Sequence, residues 1–327
     1  MMKKLLLLIF ASICGLGSLA SGEEFKPEIR LGVLAFGTLS WEMATIQRKK
    51  LDEKNGFKLI AQTLASPQAG KIALQSGAVD MIVSDWIWVS RQRSAGMDFT
   101  FAPYSNSHGA LIVPPDSNIR TLQDLKNKRL GIAGGGLDKN WLLLRGLAEK
   151  EHQLDLDGSV EKVFGAPPLL NQQLLQGKLD ALMNYWHYAV PLEVKGYRRL
   201  LDGTDILRRL GIQASVPALG YVFSEAWADK HRNTVESFLK TSSLAKNLLC
   251  ESNQAWTEIL PLTQTDDKVV QKTLRTHYCE GRVNQWGDTE KRAAAEIYAL
   301  LRKFGGDRLT GKSEQLQKGT FWAYPTR

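Results

Sequence analysis

The chain repeats itself at an offset of one hundred residues, so its fold must accommodate two copies of one unit. Residues 66–96, SPQAGKIALQSGAVDMIVSDWIWVSRQRSAG, align without a gap on residues 166–196, APPLLNQQLLQGKLDALMNYWHYAVPLEVKG. Pro67/Pro167, Leu74/Leu174, Gly77/Gly177, Asp80/Asp180, Trp86/Trp186 and Gly96/Gly196 coincide. A second pair of stretches, RLGVLAFGTLSWE (30–42) and RLGIAGGGLDKNWL (129–142), again sets two tryptophans, Trp41 and Trp141, a hundred apart.

Each copy reads as strand and helix in alternation. In the first, apolar runs at 29–35, 57–63 and 79–83 predict strands. Ser40 is expected to cap a helix whose first turn holds Glu42, where the positive dipole end favours an acid. Ser66-Pro67 is a helix start, an N-cap followed by proline at the first helical position, and Gly77 suits the helix end. The second copy predicts strands at 129–133, 160–164 and 179–183. Strands alternating with helices imply mainly parallel sheets flanked by helices, an α/β fold. Ligands bind such sheets at the carboxyl ends of the strands. Both aromatic clusters, Ser84-Asp85-Trp86-Ile87-Trp88 and Asn184-Tyr185-Trp186-His187-Tyr188, leave a strand at that end.

Residues 1–20, MMKKLLLLIFASICGLGSLA, stand outside this pattern. Lys3 and Lys4, the apolar stretch to Cys14 and the small-x-small Ser18-Leu19-Ala20 predict a signal peptide cleaved near Ala20. The run is too short and wrongly flanked for a membrane span. The expected location is therefore periplasmic. Cleavage removes two lysines and no acids, so the formal charge falls from +8 to +6. The basic residues are scattered rather than striped, which argues against a nucleic-acid partner. Cys250 and Cys279 remain, and in an oxidising compartment they are expected to form one structural disulfide.

The signal peptide, the loop FGTLSWE, the segment LASPQAGKIALQSGAVDMIVSDW and the segment FAPYSNSHGALIVPPDSNIRTLQDLKNKRLGIAGG carry a resemblance. Together they resemble the periplasmic solute-binding proteins of ABC importers, in the branch that handles nitrate, sulfonates, taurine and thiamine precursors. The similarity runs over most of residues 28–240. It implies a two-lobed fold of the type II periplasmic-binding-protein kind, with a ligand cleft between lobes. Lobe 1 would comprise residues 28–112 plus 218–327 and lobe 2 residues 113–217, joined near 109–113 and 220–223. The implied protein is a monomer without cofactor, metal or catalysis, which captures a small molecule and delivers it to an ABC permease in the inner membrane. A ligand-sensing or accessory subunit of a membrane receptor or redox system would use the same cleft. An enzyme like thiamine-pyrimidine synthase shares the fold as a further alternative. For the tail helices near 234–249 and 289–304, apolar residues at helical spacing predict packing.

The cleft candidates follow from position on the strand ends. Trp41, Trp86, Trp88 and Trp186 offer aromatic faces for a flat or cationic ligand. Glu42, Asp85 and Asp138 are carboxylates just after predicted strands, and Asp85 is the expected reader of an amine or paired N–H groups. Thr38, Ser66, Gln68, Tyr104, Tyr185 and His187 supply hydrogen bonds. The run Gly134-Gly135-Gly136 opens a helix whose amides could hold a sulfonate. Asp138 opposes an anion there and Lys139 partly offsets it. An amine or aminopyrimidine-like ligand is thus favoured over a sulfonate.

Overall fold

The computed structural model describes residues 26–35 and 37–323, and the expected signal peptide lies outside them. The strands are β1 (Glu28–Leu34), β2 (Lys58–Leu64), β3 (Met81–Ser84), β4 (Phe99–Ser105), β5 (Ala110–Val113), β6 (Arg129–Ala133), β7 (Glu161–Gly165), β8 (Ala181–Asn184), β9 (Arg198–Asp202) and β10 (Leu219–Ser224). They form two five-stranded sheets of the same topology, β2-β1-β3-β10-β4 and β7-β6-β8-β5-β9. Three strands in each are parallel, and the remaining two run antiparallel to their neighbours. Helices flank both sheets, so the fold is α/β and two-lobed as expected.

The repeat has a physical explanation in this fold. The Asp80 carboxylate accepts from the Arg30 backbone N–H at 2.8 Å and from its guanidinium Nε at 3.0 Å. Asp180 does the same for Arg129, at 2.8 and 3.2 Å. Each aspartate thereby pins the start of its third strand to the start of the first. Gly77 and Gly177 end equivalent helices with φ of +73° and +69°, and Gly96 and Gly196 follow the next helices at +86° and +88°. Such angles strain any residue with a Cβ. Most of the coincident residues therefore serve the scaffold.

Two details differ from the sequence reading. The first helix, Leu39–Arg48, is capped at Thr38 without a side-chain bond, and Ser40 Oγ instead donates to the Gly37 carbonyl at 2.8 Å. The boundary drawn at residue 112 also moves. Ala110–Val113 pairs with β8 and β9, so residues 110–112 lie in the second sheet.

The C-terminal region does more than brace one lobe. Helix Asp288–Thr310, broken at Gly306, packs on helix Trp86–Ser94 of the first lobe and helix Lys139–His152 of the second. A single apolar core runs through the contact. It joins Trp86, Val89 and Phe101 to Leu142, Leu143 and Leu147 by way of Ala294, Ile297 and Leu301. On the opposite flank, helix Lys268–Glu280 packs against helix Trp186–Val194 of the second lobe.

Cys250 and Cys279 are bridged, and the bond ties helix Arg232–Glu251 to helix Lys268–Glu280 across 29 residues. A loop of that length confers roughly 3–4 kcal/mol on the chain-entropy account. Urea unfolding of the double variant Cys250→Ala/Cys279→Ala should show that loss. An unchanged midpoint would mean that packing of the two helices suffices without the bond.

Candidate functional site

The carboxyl ends of the parallel strands in the two sheets meet at a seam. Asp85 follows β3 and caps helix Trp86–Ser94, its Oδ1 accepting from the Trp88 backbone N–H at 2.9 Å. Its second oxygen accepts from Lys139 Nζ at 2.7 Å, and Lys139 is the first residue of the helix that follows β6 in the other lobe. Lys71, from helix Pro67–Gln75, lies with its Nζ 5.1 Å above the Trp88 ring. Its charge also acts on Asp85. Burial alone would raise the Asp85 carboxyl, but Lys139, Lys71 and the Trp88 amide together hold it below the usual range. Burial disfavours the charged form of Lys71 and lowers its pKa, with Asp85 opposing. Burial works against Lys139 as well, yet Asp85 more than compensates and its pKa is raised.

On the second-lobe side, Asp138 caps helix Lys139–His152 through the Trp141 N–H at 3.1 Å. Burial pushes its carboxyl up. Gly134, at φ +84°, has no room for a side chain, since Tyr185 Oη and Asp138 Oδ2 would lie 2.9 and 3.0 Å from a Cβ. Burial, with Asp138 and Asp85 nearby, raises the Tyr185 phenol, so it stays a protonated donor. The seam thus gathers two lysines, two carboxyls and a phenol, with the Asp85 carboxyl held down and the Asp138 carboxyl pushed up.

Several expected residues lie elsewhere. Glu42 is fully buried inside the first lobe. Its Oε1 accepts from Tyr104 at 2.8 Å and Tyr278 at 2.6 Å, its Oε2 accepts from Ser242 at 3.0 Å, and Lys246 stands 3.6 Å away. Glu42 and Tyr104 therefore tie the first helix to the C-terminal helices and face no cleft. Trp86 is 2 % exposed and its indole N–H donates to the Pro217 carbonyl at 3.1 Å. Trp88 is buried and stacks on Phe99 at 5.6 Å. Trp41 is buried too, donates to the Leu262 carbonyl at 3.2 Å and touches Trp186 edge-on at 6.4 Å. The last contact joins the lobes. Trp86 and Trp186, equivalent in the repeat, therefore do different work: one fills a core and the other seals the seam.

Ser66 is occupied as a cap, accepting from the Ala69 N–H at 3.1 Å. Thr38 is half-buried at the start of the first helix and Gln68 is exposed. His187 is half-buried between Tyr185 and Tyr188, with ring centroids at 6.4 and 4.5 Å. Lys71 was absent from the expected set, and Lys139 figured there only as an offset to Asp138. The sequence did hold a signal for Lys139, since a cation at the first helical position opposes the helix dipole. A separate cavity of about 110 Å³ lies beside the first crossing between lobes, lined by Asn106, His108, Trp186, Arg199, Asp202 and His277 among others.

The family model described as NMT1/THI5 like matches residues 53–253. The chain belongs to the NMT1/THI5-like family. No curated protein matches it in sequence. In structure this NMT1/THI5-like chain is similar to the periplasmic aliphatic sulphonate binding protein SsuA of Escherichia coli, with a TM-score of 0.73 and 20% identity over 92% of this chain and 93% of that one. It is also similar to the alkanesulfonate-binding protein SsuA of Xanthomonas axonopodis pv. citri bound to MOPS, with a TM-score of 0.69 and 18% identity over 91% and 99%. The desulfurization enzyme DSZB shares the fold more distantly, at a TM-score of 0.52 and 14% identity over 86% and 92%.

Breaking the Glu42 network leaves Lys246 buried without a counter-charge. Glu42→Gln should therefore lose about 3 kcal/mol or more in urea unfolding, whereas Gln68→Ala should change stability by less than about 0.5 kcal/mol. A Glu42→Gln protein as stable as the wild type would mean that the charge of Glu42 contributes nothing to holding the helices together.

Proposed function

We propose that this chain is an exported solute-binding protein. It holds a small organic solute with an anionic head group between its lobes and delivers it to an ABC permease. The observation that carries the reading is the convergence of Lys71 and Lys139, from opposite lobes, on one carboxylate at the strand ends. The sequence favoured an amine or aminopyrimidine because Asp85 was expected to be available. In the structure Asp85 is committed to Lys139 and to the Trp88 amide. A cationic ligand would have to displace an ammonium already 2.7 Å away, whereas an anion can recruit it.

The fold relatives that bind sulfonates support the anionic reading. Asp138 and Tyr185, beside Gly134, suit an amino or hydroxyl group on the same molecule, so an amino-sulfonate satisfies both halves of the site. The leader expected from the sequence of residues 1–20 is in keeping with export and a periplasmic role.

A thermal-shift panel of ethanesulfonate, taurine, nitrate, a quaternary amine and an aminopyrimidine tests this on the mature chain. A ligand at a hundred times its Kd stabilises by about 2.7 kcal/mol, which in a chain of this size raises Tm by roughly 5 °C. The expected result is a shift with the sulfonates that Lys139→Gln diminishes. A shift confined to the amine or the aminopyrimidine would overturn the anionic reading. Stabilisation by none of the five would overturn it as well.

A further inference from the structure

We infer that Asp85 is a built-in competitor for the ligand, a carboxylate that occupies the anion site and sets how tightly a solute must bind to open it. The inference rests on the anionic reading above and deepens it. Its basis is geometric. Asp85 is 8 % exposed, belongs to the first lobe and accepts a 2.7 Å hydrogen bond from Lys139 of the second, so one protein oxygen holds the place of a ligand oxygen. The other oxygen is fixed by the Trp88 amide at the start of helix Trp86–Ser94. That tether prevents the carboxylate from swinging out when a solute arrives.

Two consequences follow. An incoming anion must take Lys139 away from Asp85 and then remain beside a like charge that cannot leave, which lowers its affinity. Only a head group able to engage Lys139 and Lys71 together offsets this, so weakly held anions are excluded from the seam. The position also differs between the repeats. Its equivalent one hundred residues on is Tyr185, which starts helix Trp186–Val194 without a side-chain cap. A charge at this point is therefore no requirement of the scaffold.

The test is calorimetric titration of the mature chain with ethanesulfonate, comparing wild type with Asp85→Asn. Asparagine retains the capping oxygen and loses the charge. Asp85→Ser, another good cap, serves as a second variant should the first fold poorly. Removing the competing charge should tighten binding about tenfold or more. The gain should vanish in the Lys139→Gln background, where no ammonium is left to liberate. Wild-type binding that is unchanged or weakened by both Asp85 variants would overturn the competitor role and leave the anionic reading standing. A gain that persists in Lys139→Gln would also overturn it, because the benefit would then not come through Lys139. Ethanesulfonate binding to neither wild type nor the Asp85 variants would overturn the anionic reading, and this inference with it.

Discussion

Each sheet contains a strand placed beyond the run of its own repeat, and the geometry of the seam depends on that arrangement. β5 opens the second sheet before the second repeat begins, and β10 closes the first sheet after that repeat ends. Both run antiparallel between a parallel core strand and an outer strand. The chain must therefore cross between lobes twice, and the first sheet is complete only after the second crossing has supplied β10. With the lobes fixed by two crossings, the helix starts after β3 and β6 are brought together. Asp85 and Lys139 are 54 residues apart in sequence yet lie 2.7 Å from each other.

Within that frame the two copies have kept the same scaffold residues and diverged at the seam. The Arg–Asp clamps, the helix-ending glycines and the prolines that start helices occur in both lobes because each solves a problem of local geometry. The residues at the strand ends have no such common task. Thr38 stands where the second copy has Asp138, and Asp85 where it has Tyr185. The resulting site is asymmetric: an acid and a lysine from one wall, an acid, a lysine and a phenol from the other. The C-terminal helices then clasp the lobes on both flanks.

The α/β class, the twofold architecture and the disulfide were legible because each leaves a periodic or countable trace. So were all six strand positions implied by apolar runs, to within two residues at each end. The run at 129–133 coincides with β6. The site was only partly legible. Glu42 carries the same local signature as Asp138, an acid near a helix start, yet its hydroxyl partner on Tyr278 lies 236 residues away and turns it into a core group. Trp86 and Trp186 are indistinguishable by local sequence, and Pro217 and Trp41 respectively decide their fates. Lys71 has no distinguishing neighbour in sequence, and its place over Trp88 is a product of folding. Long-range partners, rather than residue type, assigned these roles.

The most direct measurement is a crystal structure of the mature chain grown with the sulfonate that stabilises it most. Density for the head group between Lys71, Lys139 and the Gly134–Tyr185 edge, with Asp85 no longer bonded to Lys139, is the outcome expected of an anion site held by its own carboxylate. Density in the cavity beside Asn106 and His108 with the Asp85–Lys139 pair intact would contradict it. The seam would then be a structural closure, and the solute would be recognised elsewhere.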